Sequence, residues 1–120
     1  MKKIGLLSDT HGYLDEAVFT HFEKCDEIWH AGDFGNVELA KALSDFKPLR
    51  GVYGNVDGKD VRQLYPETLR FAIEGMDVFM IHIGGYPDRY AGISTYFFGF
   101  HGQVSGCHRI IQDSGCNYFQ

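Results

Sequence analysis

The sequence predicts a single α/β domain, and three observations carry that reading. Short apolar runs alternate with stretches of helical spacing over roughly the first ninety residues. Three of those runs are followed, at once or within three residues, by Asp9, Asp33 or Asn55. Two further runs meet at Glu74-Gly75, a pair suited to a tight hairpin. Strand, helix, strand, helix, strand argues for a right-handed arrangement around a central sheet.

Taken in order, Ile4 to Ser8 has the length and flanks of a buried parallel strand. Leu14 to Lys24 places Ala17, Val18, Phe19 and Phe22 at a spacing compatible with one helical face. Asp26 to His30 is a second short strand. Asn36 can cap a helix through Phe46 that turns Val37, Leu39, Ala40 and Leu43 inward. Pro48 ends that helix and Leu49 to Tyr53 makes a third strand. A loop or short helix spans Asp57 to Leu64, and Thr68 to Glu74 and Met76 to Ile83 form the hairpin strands.

With 120 residues the chain supports one core and one domain over 1–120. A hydrophobic fraction of 44% and an aromatic fraction of 15% argue against disorder. The net charge of −5 supplies no general basic field and weighs against nucleic acid as a partner. No apolar run reaches a membrane span, and the Met-Lys-Lys start leads into a strand-like run rather than a secretory segment. The three cysteines, Cys25, Cys107 and Cys116, form no Cys-x-x-Cys pair and read as free thiols in a reducing cytoplasm.

Candidate ligands gather at the strand ends, where open α/β sheets bind their ligands. They are Asp9 and His11 in Ser-Asp-Thr-His-Gly, Asp33 in His-Ala-Gly-Asp, Asn55 in Tyr-Gly-Asn-Val-Asp, and His82 in Ile-His-Ile-Gly-Gly. Carboxylate, imidazole and amide oxygen together suit a borderline divalent ion such as Mn²⁺, Fe²⁺ or Zn²⁺. The alternatives are plain ones. Asp9 and Asp33 could cap helices, Gly54-Asn55 is a common turn pair, and His82 could be a hydrogen-bonded core histidine. Caps explain neither His11 nor the repeated strand-end placement. His30 reads as a supporting or packing residue, His21 as part of a solvated helix face, and Trp29, Phe34 and Tyr53 as core or rim. Asp57 either orients a supporting group or starts the following helix.

Asp9-Thr10-His11, Gly32-Asp33, Gly54-Asn55-Val56-Asp57 and His82, in that order, resemble successive blocks of the calcineurin-like metallophosphoesterases, in particular the small bacterial and archaeal phosphodiesterase branch. The resemblance covers residues 1 to 90. It implies a two-sheet sandwich flanked by helices, with two divalent metal ions at the strand ends, Mn²⁺ first and Fe²⁺, Zn²⁺, Ni²⁺ or Mg²⁺ as substitutes. By resemblance Asp9 and His11 hold one ion, Asn55 and His82 the other, and Asp33 bridges them. The implied reaction is hydrolysis of a small phosphodiester or phosphomonoester by hydroxide that the ions activate, with Asn55 close to the reacting phosphate. Val56 stands where the wider family often carries a leaving-group histidine, which implies activated or undemanding esters.

The chain departs from that pattern after Tyr90. Residues 91–120 hold only two of the charged side chains, Arg109 and Asp113, but six aromatics and two of the cysteines, so the domain has an atypical tail. The family's Gly-His-x-His block is absent, and Ser105-Gly106-Cys107-His108-Arg109 is the nearest match. Cys107 can ligate as a thiolate and Arg109 cannot; His101 and His108 are the remaining imidazoles that could complete the shells. Alternatives to the enzyme are therefore a weak or inactive metal- or phosphate-binding member of the fold, and an assembly protein that uses its aromatic tail. Tyr96, Phe97, Phe98 and Phe100 are suited to cover an apolar sheet face, within one chain or between two. Mutual burial in a homo-oligomer is the favoured form.

Overall fold

A computed structural model describes residues 3–83, 96–101, 104–105 and 117–119. The elements are β1 (Ile4–Leu7), α1 (Glu16–His21), β2 (Glu27–His30), α2 (Val37–Phe46), β3 (Leu49–Gly51), α3 (Lys59–Leu64), β4 (Thr68–Ile73), β5 (Met76–Ile83), β6 (Tyr96–His101), β7 (Val104–Ser105) and β8 (Asn117–Phe119). They build two four-stranded sheets, ordered β3-β2-β1-β8 and β4-β5-β6-β7. The first is parallel throughout. The second pairs β4 with β5 antiparallel, β5 with β6 parallel and β6 with β7 antiparallel.

The period of two along the strands sorts the apolar side chains into two cores. Ile4, Leu6, Trp29, Ala31 and Val52 meet Ile73, Val78 and Met80 between the sheets. Leu7 and Ile28 take the opposite face, where Val18 and Phe22 from the first helical segment and Leu39, Ala40 and Leu43 of α2 cover them. Helices, parallel sheet and second sheet thus form the expected flanked sandwich. Gly5 has a local reason, since a side chain there would press into the Phe22 ring.

Boundaries follow the caps. The Asn36 side chain accepts from the Leu39 N–H at 2.8 Å, so α2 starts where the sequence places it. The first helix is shorter than Leu14 to Lys24, because the Asp15 side chain accepts from the Ala17 N–H and Phe22 closes the other end. Ala17 is consequently exposed, and Val18 and Phe22 alone of that set are fully buried. Glu74 and Gly75 both have positive φ, 49° and 79°, the signature of the tight hairpin between β4 and β5.

Parts of the atypical tail enter both sheets. β6 runs beside β5, with Val78 opposite Tyr96, and β8 runs beside β1, with Gly5 opposite Asn117. Gly84, Gly85, Cys107, His108, Arg109 and Cys116 lie outside the described residues, so the substitution of Cys107 or His108 for missing ligands has no structural counterpart here. Among the described residues no helix is long and apolar enough to cross a membrane.

Candidate metal centre

Two backbone loops, one after β1 and one after β2, extend their strand pairing past the sheet edge. Asp9 N–H donates to the Gly32 carbonyl at 2.9 Å, His11 N–H to the Asp33 carbonyl at 3.1 Å, and Gly12 N–H to the Phe34 carbonyl at 2.8 Å. Asp9, His11 and Asp33 all adopt left-handed backbone, with φ of 57°, 49° and 61°. Asp and His tolerate that region better than most residues, at some conformational cost. Three such residues converging at one point mark a place where side-chain direction matters more than backbone comfort. Gly35, with φ of 99°, packs so closely on the His11–Gly12 backbone that no side chain fits.

The side chains converge accordingly. One donor atom each from Asp9, Asp33 and His82 lies within 4.8 Å of the others. His82 Nε2 is 3.1 Å from an Asp33 oxygen and 3.8 Å from an Asp9 oxygen. His11 Nε2 stands 3.6 Å from Asp9 and 3.7 Å from Asp33. Asp33 and His82 are buried, Asp9 is half-buried and His11 is exposed. Asn55 is exposed on the turn after β3. Together with Gly54 and His82 it lines a cleft of about 230 Å³ whose other walls are Tyr53, Arg62, Glu67 and Ile81.

This donor set fits a cation. Burial first, and then the neighbouring Asp9 carboxylate, push the Asp33 carboxyl above its ordinary value, while the Val56 N–H and His82 pull it back. His82 Nδ1 is 2.7 Å from the Ala31 carbonyl, which can only accept, so Nδ1 carries the proton. His82 Nε2 therefore faces the Asp33 oxygen at 3.1 Å, a separation at which a proton or a cation between the two atoms is favourable. The Ser8 hydroxyl donates to the outer Asp9 oxygen at 2.7 Å and holds that carboxylate in place. Asp9, Asp33 and His82 would form the centre of the ligand set, with His11 beside them.

Two supporting features open to alternative readings in the sequence, His30 and Asp57, gain definite partners in the structure. Buried His30 accepts the Gly32 N–H on Nδ1 at 3.1 Å, so its Nε2–H donates to the Thr10 hydroxyl at 3.0 Å, and that hydroxyl donates on to the Phe34 carbonyl at 3.0 Å. The ring also stacks on Phe34 at 3.8 Å. The other feature is buried Asp57, whose carboxylate accepts the backbone N–H groups of Phe34, Gly35 and Gly54. It does not cap α3, whose first turn follows Gly58 and has no side-chain cap. An aspartate shortly before a helix resembles a cap in sequence; only the return of the Phe34–Gly35 loop reveals its partners.

Burial lowers His30 from 6.5 to about 3, against the raising influence of Asp57. Because the folded value lies below the unfolded one, its contribution is complete above pH 6.5 and is lost as the pH falls toward 3. In chelator, wild-type unfolding free energy from urea titrations should fall below pH 6.5 with a slope that includes up to about 1.4 kcal/mol per pH unit from this group. His30→Gln should be less stable but flatter by that amount. Asp33, raised in the fold, acts in the opposite sense and is common to both proteins. Parallel lines for the two proteins between pH 5 and 6.5 would contradict the assignment.

A family model described as the calcineurin-like phosphoesterase superfamily domain matches residues 1–103. A probable metallophosphoesterase of Methanothermobacter thermautotrophicus is 35% identical over 89 residues, 70% of this chain and 51% of that one. A probable metallophosphoesterase of Methanocaldococcus jannaschii is 41% identical over 59 residues, 45% of this chain and 31% of that one. The chain thus spans about half the length, or less, of the curated relatives it matches. Among solved structures, a novel archaeal phosphodiesterase superposes with a TM-score of 0.69 at 23% identity, covering 87% of this chain and 76% of that one. Vps29 of Chaetomium thermophilum does so with a TM-score of 0.67 at 14% identity, covering 82% and 60%. These two likenesses are likenesses of fold. The paired sheets, the order of the motif residues along the chain and the match over residues 1–103 together establish that the chain belongs to the calcineurin-like phosphoesterase superfamily.

Proposed function

We propose that the chain carries the metal centre of a hydrolase acting on small phosphate esters, with two divalent ions, Mn²⁺ foremost, held by Asp9, His11, Asp33, Asn55 and His82. The observation that carries this reading is the convergence of Asp9, Asp33 and His82 donor atoms within 4.8 Å beside an open cleft. When bound, divalent ions supply Lewis-acid activation of water and neutralise charge on phosphoryl oxygens. Asp33, buried beside the other donors, would share its two oxygens between the ions. The bond from His82 Nδ1 to the Ala31 carbonyl leaves Nε2 as the nitrogen that would face a metal. Asn55, uncharged at the mouth of the cleft, adds an amide oxygen without repelling a phosphate anion. Among the described residues no histidine other than His82 lines the cleft, in keeping with Val56 in the leaving-group position and with a preference for activated esters. Cysteine usage, with no Cys-x-x-Cys pair, supports a cytoplasmic setting.

The test is to measure metal content by elemental analysis and hydrolysis of bis(p-nitrophenyl) phosphate with and without added Mn²⁺. Two ions per chain with Mn²⁺-dependent turnover support the reading, and no uptake of metal overturns it. Cys107 and Arg109, standing where the family carries histidines, favour a second reading in which metal or phosphate is bound without turnover. Two bound ions with no hydrolysis of any activated ester would select it.

Mutual burial of the tail remains the proposed assembly, as a symmetric or swapped dimer. The placement of β6 and β8 in the two sheets supplies the intrachain alternative. Deleting residues 91–120 is expected to cause aggregation or loss of a defined oligomer in light scattering, because β1 and β5 would both lose a neighbour. A soluble, folded monomer before and after the deletion would rule out both a covering role and an assembly role.

A further inference from the structure

The turn Gly54–Asp57 is held from two sides. It closes on itself through Asp57 N–H to the Gly54 carbonyl at 3.1 Å. From inside, one Asp57 oxygen accepts Phe34 N–H at 3.1 Å and Gly54 N–H at 2.9 Å, and the other accepts Gly35 N–H at 2.9 Å. Phe34 follows Asp33 and Gly54 precedes Asn55, so this one carboxylate is bonded to the chain neighbour of each ligand. Asp33 reciprocates, accepting the Val56 N–H at 3.1 Å. From outside, Arg62 on α3 donates from Nε to the Asp57 carbonyl at 2.7 Å and from Nη2 to the Asn55 carbonyl at 3.3 Å, with its guanidinium 4.5 Å over the Tyr53 ring. Gly54 is packed so tightly on Asp33 that the two loops have no slack.

We infer that Asp57 and Arg62 are positioning residues that set the spacing between Asp33 and Asn55, and so the affinity of the ion those two ligands share. The inference rests on the metal reading above. Backbone N–H groups bonded to a buried carboxylate also stabilise the fold, and the two roles predict different things. A purely structural role lowers the melting temperature alone. A positioning role lowers metal affinity out of proportion to it, as the loss of groups that orient metal ligands does in general.

The experiment uses the full chain and Mn²⁺ itself, titrated with electron paramagnetic resonance of free and spin-coupled Mn²⁺, beside melting in chelator. Asp57→Asn replaces one acceptor oxygen with a donor that faces backbone N–H groups. Arg62→Gln removes the outer brace at an exposed position. Val18→Ala, in the helix-side core, supplies a loss of stability remote from the loops. Asp57→Asn should weaken Mn²⁺ binding about 10–100-fold and reduce the coupled signal. Arg62→Gln should do so several-fold with little change in melting, while Val18→Ala keeps wild-type affinity. Wild-type affinity in both loop variants, or an equal loss in Val18→Ala, overturns the inference. Should Asp57→Asn fail to fold, unchanged affinity in Arg62→Gln overturns it alone. A wild-type chain that binds no Mn²⁺ removes the metal reading and this inference together; two ions bound with wild-type affinity in all variants removes only the inference.

Discussion

Asp33→Asn is expected to abolish Mn²⁺-dependent hydrolysis and to lower metal content in the same protein. The substitution keeps the shape of the side chain and its ability to accept the Val56 N–H. What it removes is the negative charge at the most buried point of the cluster, and one of the two oxygens that could each face an ion. The fall in turnover should be on the order of 10³-fold, equivalent to about 4 kcal/mol in the barrier. Stability in chelator should move the other way. An ionised carboxyl with a raised folded-state value costs stability above its unfolded value of 3.8, so the neutral amide should make the metal-free chain equally or more stable at pH 7. Normal turnover with two bound ions in Asp33→Asn would show that the centre lies elsewhere.

His82→Ala separates the observed core role of His82 from its proposed role as a ligand. The ring is buried, and its Nδ1–H satisfies the Ala31 carbonyl. Truncation therefore leaves a void and an unpaired carbonyl, a cost of about 1–3 kcal/mol in any solvent. A ligand role adds a quantity that depends on metal. At Mn²⁺ near 100 times its dissociation constant, the wild type should gain about 2.7 kcal/mol over its chelator value. In His82→Ala that increment should all but vanish, whatever the chelator baseline. Calorimetry of both proteins in Mn²⁺ and in chelator gives the four melting temperatures needed. An increment equal to the wild type's would leave His82 as a core histidine only. The sequence reading treats ligand and core residue as alternatives, whereas the geometry makes them compatible: the core bond to Ala31 leaves Nε2 facing the Asp33 oxygen, as the proposed ligand role would need.

Much of the fold is legible in the sequence because its signals are local. Asn36 before an apolar-periodic stretch starts α2 through a single side-chain bond, and Glu74-Gly75 can take the positive φ values that the hairpin needs. Asp9 and Asp33 are legible as a pair because parallel strands deliver their carboxyl ends to one edge. Features that depend on distant partners are not. The pairing of Asn117 with Gly5 joins opposite ends of the chain. Asp57 has its meaning in the Phe34–Gly35 backbone, and a polar residue such as His30 inside a buried strand is explained only by Thr10 and Phe34 closing around it. The left-handed backbone of Asp9, His11 and Asp33 is equally invisible, since nothing in the residue types demands it.

His82 belongs to one sheet while Asp9 and Asp33 extend from the other, and among the described residues an apolar cluster lies between the two sheets. A cation gripped from both sides acts as a rivet through that layer. Apolar layers can slide or part locally, but a rivet must come out before either sheet opens alone, so loaded chains should unfold as one unit and starved chains in pieces. Amide exchange in β1, β2 and β5 would then slow together on loading. If the proposed ions bind, the same coupling would make susceptibility to proteases in a cell follow metal supply, and chains without ions would be the ones most readily removed.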